Sequence, residues 1–412
     1  MMMKRTTASA HVKSLFQGLH TGILALGLGT ALWQLSRVRR SIKETYPPEA
    51  VSLPVPPPYV SIILPVRNEE ANIDACLTSL LAQDYPDFTV TVIDDGSTDA
   101  TPCLLEQWRA CDRRVTVYRI DRLPEGWAGK AHAMHTGVTQ TRGEWILFTD
   151  ADTRHAPHTL SLMMGHALRQ GVDLLSMRTC LMTLTGSASP LLMPMSEIIL
   201  AQLMTPAQIR DATFPHAFAF GQYILVRREA YTASGGYDTA AMRRTSVDDV
   251  ALAEHIKWHG GRIDVVDGRG LVANRQWTTW KSALQGWRKS TYGELARSHP
   301  PLTGIVGGFA LLVYGLGPLI SLLSALSTKK IHRLSTMLAA AILIAQIAAK
   351  RCFDREYGLA FPWALTAPAG WAIFGALVID IALHILSGRG IDWKGRQLPR
   401  QRRSFPGRKK DE

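Results

Sequence analysis

The sequence predicts an α/β domain, a mostly parallel sheet with helices on both faces, with transmembrane helices at both ends of the chain. Three observations carry this. Between residues 59 and 300, apolar runs of strand length alternate with helical patterns, the arrangement that winds a parallel sheet. Four longer apolar segments lie outside that region. The charge is also unevenly spread: 412 residues with a net charge of +12 hold seven Lys/Arg and no acid in 1–43, nine Lys/Arg and one acid in 388–410, and a balanced 45–387. A neutral body with basic ends beside apolar segments is the pattern of a membrane protein and not of a nucleic-acid binder.

Residues 15–35 carry no charge, enough to cross ~30 Å of hydrocarbon as a helix. No small-residue cleavage site follows, so 1–45 reads as an N-terminal transmembrane anchor and not a signal peptide. Arg37, Arg39, Arg40 and Lys43 follow and place the next segment on the cytoplasmic side, with Lys4, Arg5 and Lys13 on the other flank. Residues 46–58 contain six prolines and read as a stiff linker. Strands are expected at Tyr59–Val66, Phe88–Ile93, Val115–Ile120 and Trp145–Thr149. Between the first two, Ile73, Leu77, Leu80 and Leu81 mark a helix.

Three apolar segments follow, at 304–326, 334–349 and 359–386, within a C-terminal membrane region of 301–387 that precedes the basic tail, 388–412. Three crossings would carry that tail to the side opposite the α/β domain, while its nine basic residues call for the cytoplasmic side. One segment is therefore not a simple crossing. The short second segment and the third, interrupted by Pro362 and Pro368, are the two candidates. The five cysteines (Cys76, Cys103, Cys111, Cys180, Cys352) form no CxxC and no Cys/His ligand set, and read as reduced cytosolic thiols.

Four constellations carry chemistry. In "VIDDGSTD", Asp94 and Asp95 end an apolar strand and Gly96 opens the turn. Carboxylates at the carboxyl end of such a strand can accept hydrogen bonds from a nucleoside; the alternative is an Asx turn capping the next helix. In "ILFTDADT", Asp150 and Asp152 end a second strand. At i and i+2 in extended chain they would point the same way toward one divalent cation, whose other ligands come from water and a diphosphate. In "LPEGWAGKAHAMHTG", Lys130 stands at a helix start, suited to a phosphate or else simply solvated. His132 and His135 lack a third ligand and read as packing or polar-face residues. In "TSVDDVALAEHIKWHG", Ser246 and Asp249 have the spacing of a helix start. Asp249 is a candidate general base, and capping its own helix is compatible with that role.

The motifs "SIILPVRNEE", "VIDDGSTD", "DAD", "GQYILVRREAYTASGGYD" and "VDDVALAEHI", in this order over roughly 59–290, resemble the family 2 glycosyltransferases. The resemblance implies a GT-A fold, a nucleotide-diphospho sugar donor (a UDP-sugar being the family's commonest), Mg²⁺ or Mn²⁺, and transfer with inversion. By position it implies that Asp94 and Asp95 hold the nucleoside, that Lys130 and Asp150 belong to the nucleotide-sugar site, that Asp150 and Asp152 hold the metal, and that Asp249 is the base, with Asp248 where the family carries Glu. Gln222 falls on the acceptor side. Of the QxxRW motif of processive members, Gln285 and Arg288 are present while Lys289 replaces Trp. "LPxGWxGK" and the terminal "GRGIDWKGR" are similar to membrane glycosyltransferases of hopanoid and carotenoid pathways.

Trp277, Trp280, Leu284 and Trp287 recur at helical spacing beside Lys281, Arg288 and Lys289, as expected of a helix lying in the headgroup layer; Leu191–Met204 is a second such stretch. Both stripes could instead face a protein core. The expectation is a multi-pass inner- or plasma-membrane glycosyltransferase with a cytoplasmic catalytic domain (59–300). Its acceptor would be lipid-like: a polyprenoid, hopanoid, carotenoid or glycolipid. The alternatives are a processive polysaccharide synthase and a non-catalytic membrane protein that senses nucleotides or transports.

Overall fold

The computed structural model describes residues 2–181, 186–245, 247–274, 279–295, 300–327, 333–387, 391–393 and 396–398. The chain folds into two compact units. One comprises Lys43–Leu184, Met204–Trp277 and Gly390–Glu412; the other comprises Met1–Ile42, Thr185–Leu203 and Thr278–Arg389.

Helix α1 (Met2–Glu44) opens the chain. Strands and helices then alternate: β1 (Val60–Val66), α2 (Ile73–Leu81), β2 (Phe88–Asp94), α3 (Thr101–Cys111), β3 (Val115–Arg119), α4 (Gly129–Thr139) and β4 (Trp145–Phe148). Next come β5 (Thr153–His155), α5 (Thr159–Gln170), β6 (Leu174–Arg178), β7 (Cys180–Leu181), α6 (Ala188–Leu203) and α7 (Pro206–Arg210). They are followed by β8 (Ile224–Arg227), α8 (Arg228–Ala233), α9 (Ala240–Arg243), α10 (Asp248–Trp258), β9 (Ile263–Asp267) and β10 (Val272–Asn274). The rest is mainly helical: α11 (Trp280–Leu295), α12 (Pro300–Phe309), a π-helical stretch (Ala310–Leu316), α13 (Gly317–Ser327), α14 (Arg333–Glu356), a 3₁₀ stretch (Phe361–Thr366) and α15 (Ala367–Leu386). A short antiparallel pair, β11 (Ile391–Trp393) and β12 (Arg396–Leu398), comes last.

The main sheet has the order β3-β2-β1-β4-β8-β6-β9. The four strands expected from sequence are its β1 to β4, all mutually parallel. β8 is inserted antiparallel between β4 and β6, and β9 runs parallel to β6. The mostly parallel sheet is thus mixed at one place. Strand alternation divides two cores. Val60, Ile62, Leu64 and Val66 of β1 pack with Trp145 and Leu147 of β4 and with α2 and α5 on one face. Ile63, Ile146 and Phe148 pack with Ala131 and Met134 of α4 and Leu252 and Ile256 of α10 on the other. Burial on both faces explains why these strands read as continuous apolar runs.

The proline-rich stretch forms neither helix nor strand and packs along this unit. Tyr46 donates its hydroxyl proton to buried Asp264 (2.6 Å), and its carbonyl accepts from the Asp267 N–H (2.8 Å). The Glu49 N–H donates to His166 Nδ1 (3.0 Å). Arg210 also meets Asp264 at 3.2 Å. A linker by composition is therefore packed against the sheet unit by polar contacts that composition does not announce.

The other unit holds four helical segments long and apolar enough to cross a membrane: Leu15–Glu44, Leu302–Ala325, Arg333–Glu356 and Phe361–Leu386. With them pack α6, shorter but apolar, and α11.

Candidate functional site

The parallel strands bring the acidic motifs to one sheet edge. Asp94 lies opposite Val66 at the end of β1, and Ile63 pairs with Phe148 of β4. β1 thus separates the ends of β2 and β4, so Asp94 and Asp150 leave the same edge about 10 Å apart, two strand spacings. The loop after β1 braces the loop after β2: the Asn68 N–H donates to Ser97 Oγ (3.0 Å), and Thr98 N–H to Asn68 Oδ1 (2.9 Å).

Asp94 is buried. Its Oδ1 accepts from the Ser97 N–H (2.8 Å) and its Oδ2 lies 3.3 Å from Arg119 Nη1. Asp94 thus closes the turn after β2, with Gly96 at φ +69°, and does not cap α3, whose cap position is Ala100. Asp95 is also largely buried. Arg67 donates to its carbonyl (2.9 Å) and reaches its carboxylate at 3.8 Å.

Lys130, in the first turn of α4, is not a solvated lysine. Its Nζ lies 2.8 Å from Asp150 Oδ1 and 3.4 Å from Asp248 Oδ2. Burial works against its charge, but Asp150, Asp248 and Asp249 outweigh it and hold the ammonium well above the usual lysine range. Asp248 is buried, and its Oδ2 makes the ion-pair contact without a hydrogen bond. Asp249 is more accessible, and its Oδ1 accepts from the Val250 N–H (2.9 Å). Helix α10 starts at Asp248 with Val247 in the cap position; Ser246 lies outside the described residues. Two carboxylates in this first turn are favoured by the helix dipole.

Gly221 lies against Asp249 and Lys130. A Cβ there would sit 3.2 Å from Asp249 Oδ2 and 3.6 Å from Lys130 Nζ. The next residue, Gln222, accepts at its carbonyl from Thr149 Oγ1 (2.8 Å), fixing that loop to the end of β4. Beneath the acids lies fully buried Tyr237. Burial lifts its phenol well above the usual range, and Asp248, Asp249 and Asp150 add to the effect. Gly221, Tyr237 and the Lys130–Asp248 pairing were not legible in sequence, because no spacing rule links residues 130, 221, 237 and 248.

One geometric expectation needs correcting. Asp150 and Asp152 do not sit in extended chain, because β4 ends at Phe148. Residues 150–153 form a turn in which the Thr153 N–H and hydroxyl both bond the Asp150 carbonyl (3.3 and 2.7 Å). The i, i+2 argument for parallel side chains therefore does not apply. Among the described residues no group of three or more His, Cys, Asp or Glu could hold a metal by itself. Half-buried Asp150 and Asp152, as a pair in one turn, fit an ion that takes one or two carboxylates and completes its shell with phosphate oxygens and water.

The turn rests on His155. Thr149 and Thr153 spend their hydroxyl protons on the carbonyls of Gln222 and Asp150. His155 Nε2 lies 3.1 and 3.0 Å from those two hydroxyl oxygens and donates to them, which places a proton on Nε2. Burial, with Arg154 adding to it, pushes its pKa down to about 3. His132 and His135 pack around Trp127, each 5.1 Å between ring centroids, with Arg243 4.9 Å from the Trp127 ring.

The chain is similar to known proteins in sequence and in fold. Residues 61–250 fit the profile of Glycosyl transferase family 2. The chain carries a family 2 glycosyltransferase domain. Two relatives, both named 4,4'-diaponeurosporenoate glycosyltransferase, come from Staphylococcus aureus. That of strain USA300 is 26% identical over 357 residues, 82% of this chain and 88% of the relative. That of strain MRSA252 is 27% identical over 282 residues, 67% and 71% of the two chains. A mannosyltransferase from Pyrobaculum calidifontis, solved in complex with GDP-Man and Mn²⁺, is similar in fold: TM-score 0.55 at 21% identity, over 90% of this chain and 98% of that one. The protein is thus a glycosyltransferase with a GT-A fold, and the non-catalytic alternative falls away.

In this glycosyltransferase the remaining acceptor-side candidates lie on α11, in the apolar unit. Trp280 is 40% exposed and donates to Ser187 Oγ (2.9 Å). Trp287 is buried: its indole N–H donates to Ser196 of α6 and its ring packs against Phe374 of α15. The tryptophan stripe is therefore split between surface and core, and Trp277 lies outside the described residues. Gln285 is exposed. Arg288 is held by Asp380 (2.9 Å) and His384 (2.9 Å).

Proposed function

We propose that this protein is a membrane-anchored, inverting glycosyltransferase that moves a sugar from a nucleotide-diphospho sugar to the polar end of a lipid-like acceptor. The observation that carries the reading is the cluster of Asp150, Asp248 and Asp249 around Lys130 at the carboxyl edge of the sheet, inside the family 2 domain. The neighbour solved with GDP-Man and Mn²⁺ and the relatives named for a carotenoid acid support donor and acceptor classes in that order.

In this reading Asp95 and the loop after β2 hold the nucleoside; Asp94, spent on its turn and Arg119, shapes that loop. Asp150 and Asp152 hold Mg²⁺ or Mn²⁺ with the donor diphosphate, and the ion supplies charge neutralisation to the leaving group. Asp249 accepts the proton of an acceptor hydroxyl as its oxygen bonds the anomeric carbon and the bond to the diphosphate breaks. Lys130 pairs with Asp150 and Asp248 and so offsets the negative charge of the cluster. A carboxylate acceptor arrives without a proton to lose, so its reaction needs Asp249 less.

The test is donor turnover by purified protein with Mn²⁺ and a lipid acceptor. Asp249→Asn should abolish transfer to a hydroxyl acceptor while leaving nucleotide binding nearly intact. Normal transfer by that variant would show that another group is the base. Products carrying a single sugar are expected; long polymers would favour the processive alternative.

A further inference from the structure

The helix lengths alone give three C-terminal crossings, and contacts within the apolar unit say otherwise. Helix α6 marks one end of that bundle. Arg37, near the end of α1, donates to the Ala201 carbonyl of α6 (2.9 Å). Lys350, near the end of α14, donates to the Pro190 carbonyl (3.1 Å), and Tyr357, just beyond α14, donates to Glu197 (2.9 Å). Trp287 of α11 meets Ser196 of the same helix, and the next residue, Arg288, grips Asp380 and His384 near the end of α15. The carboxyl ends of α1 and α14 therefore gather at α6, and α15 keeps to the α6–α11 pair along its length, with Gly370 against Met195, Phe374 against Trp287, and Asp380 and His384 against Arg288.

Pairings along the helices agree. Thr21 meets Ser335 (2.9 Å) and Gly27 packs on Ile342, so α14 runs the same way as α1. His20 meets Ser321 (3.2 Å) and Gly27 packs on Val313, so the α12–α13 stretch runs the opposite way. Gly304 faces Ala382, Gly307 faces Val378 and Gly315 faces Ala372, so α15 is antiparallel to α12 and ends where α12 begins. The segment after α14 turns back immediately. Gly358 takes φ +67°, the Leu359 N–H bonds the Asp354 carbonyl (2.7 Å), and Arg351 donates to the Leu359 carbonyl (2.7 Å).

We propose that residues 357–386 form a re-entrant element, entering and leaving the bilayer on one side, so that α1, α12–α13 and α14 are the crossings and the C-terminal tail returns to the side of the glycosyltransferase domain. The chemistry of the segment fits. Pro362 in the 3₁₀ stretch and Pro368 in the first turn of α15 carry no backbone N–H and interrupt the helix, and such interruptions are tolerated at membrane depth where neighbouring protein packs on them. Arg351 and the buried Lys350–Asp354 pair (2.7 Å) supply polar cover beside that turn. The topology also puts the nine basic residues of 388–410 with Arg37, Arg39, Arg40 and Lys43, leaving Lys4, Arg5, Lys13, Lys329, Lys330 and Arg333 on the far side.

This rests on the membrane-anchored reading, and the experiment separates the two. Full-length protein with its five cysteines changed to serine, checked for glycosyl transfer, receives single cysteines at Thr139, Ser327, Ala360 and Ser404. An impermeant maleimide is applied to sealed vesicles of either orientation. Thr139→Cys, Ala360→Cys and Ser404→Cys should react from one side and Ser327→Cys from the other. Reaction of Ser404→Cys from the Ser327 side overturns the re-entrant element. Release of the wild-type protein by alkaline carbonate would instead overturn membrane anchoring, and the proposal with it. As a check without cysteine changes, a fluorescent-protein fusion after Glu412 should fluoresce and an alkaline phosphatase fusion there should be inactive; the reverse pair overturns the proposal.

Discussion

Lys130 Nζ lies 2.8 Å from Asp150 Oδ1, joining the first turn of α4 to the loop after β4. The same ammonium serves Asp248 at 3.4 Å. Lys130→Met leaves three clustered carboxylates without their shared cation, one of them buried. The expected outcome is a loss of about 1–3 kcal/mol of stability, below the range for fully buried pairs because Lys130 is partly exposed, together with loss of transfer. Lys130→Arg should recover much of the stability and little of the activity, since its planar fork cannot replace a point charge in this space. Thermal melts and transfer assays on the solubilised protein measure both.

Gly221→Ala probes the site without removing a charge. Its Cβ would stand 3.2 Å from Asp249 Oδ2, closer than ordinary contact. Displacement of that carboxylate should lower kcat by about 10-fold or more, with stability changed by less than about 1 kcal/mol. An unchanged kcat would argue against Asp249 acting as the base.

The neutral His155 beneath the Asp150–Thr153 turn makes the fold acid-sensitive. Its pKa falls from an unfolded value of about 6.5 to about 3. Below about pH 6.5 the unfolded chain takes up a proton that the folded state refuses. Stability should thus be full above that pH and fall as pH drops toward 3, by up to about 1.4 kcal/mol per pH unit. Denaturation at pH 7.5 and 5.5 tests this, and His155→Gln should flatten the difference.

Tyr46→Phe should loosen the proline-rich stretch from the sheet unit. Asp264 would keep Arg210 and His166 but lose a 2.6 Å hydrogen bond. A cost of about 1.5–3 kcal/mol is expected for a bond to a charged group, with faster proteolysis within 46–58.

The sequence by itself determined the alternation of strands and helices, because β1 and β4 are buried on both faces and must be written as apolar runs. It also determined that Asp94 ends its strand and that Asp150 lies just past the end of β4, since those acids stop the apolar runs, and the long uncharged segments, since hydrocarbon tolerates little else. Tertiary structure alone decided the rest. Lys130, Gly221, Tyr237 and Asp248 meet only because the sheet order sets α4, the 221 loop and α10 around one edge, a matter of three-dimensional topology that one-dimensional spacing does not encode. The same holds for Trp287, whose helical stripe suits either water's edge or a core until α6 and α15 cover it.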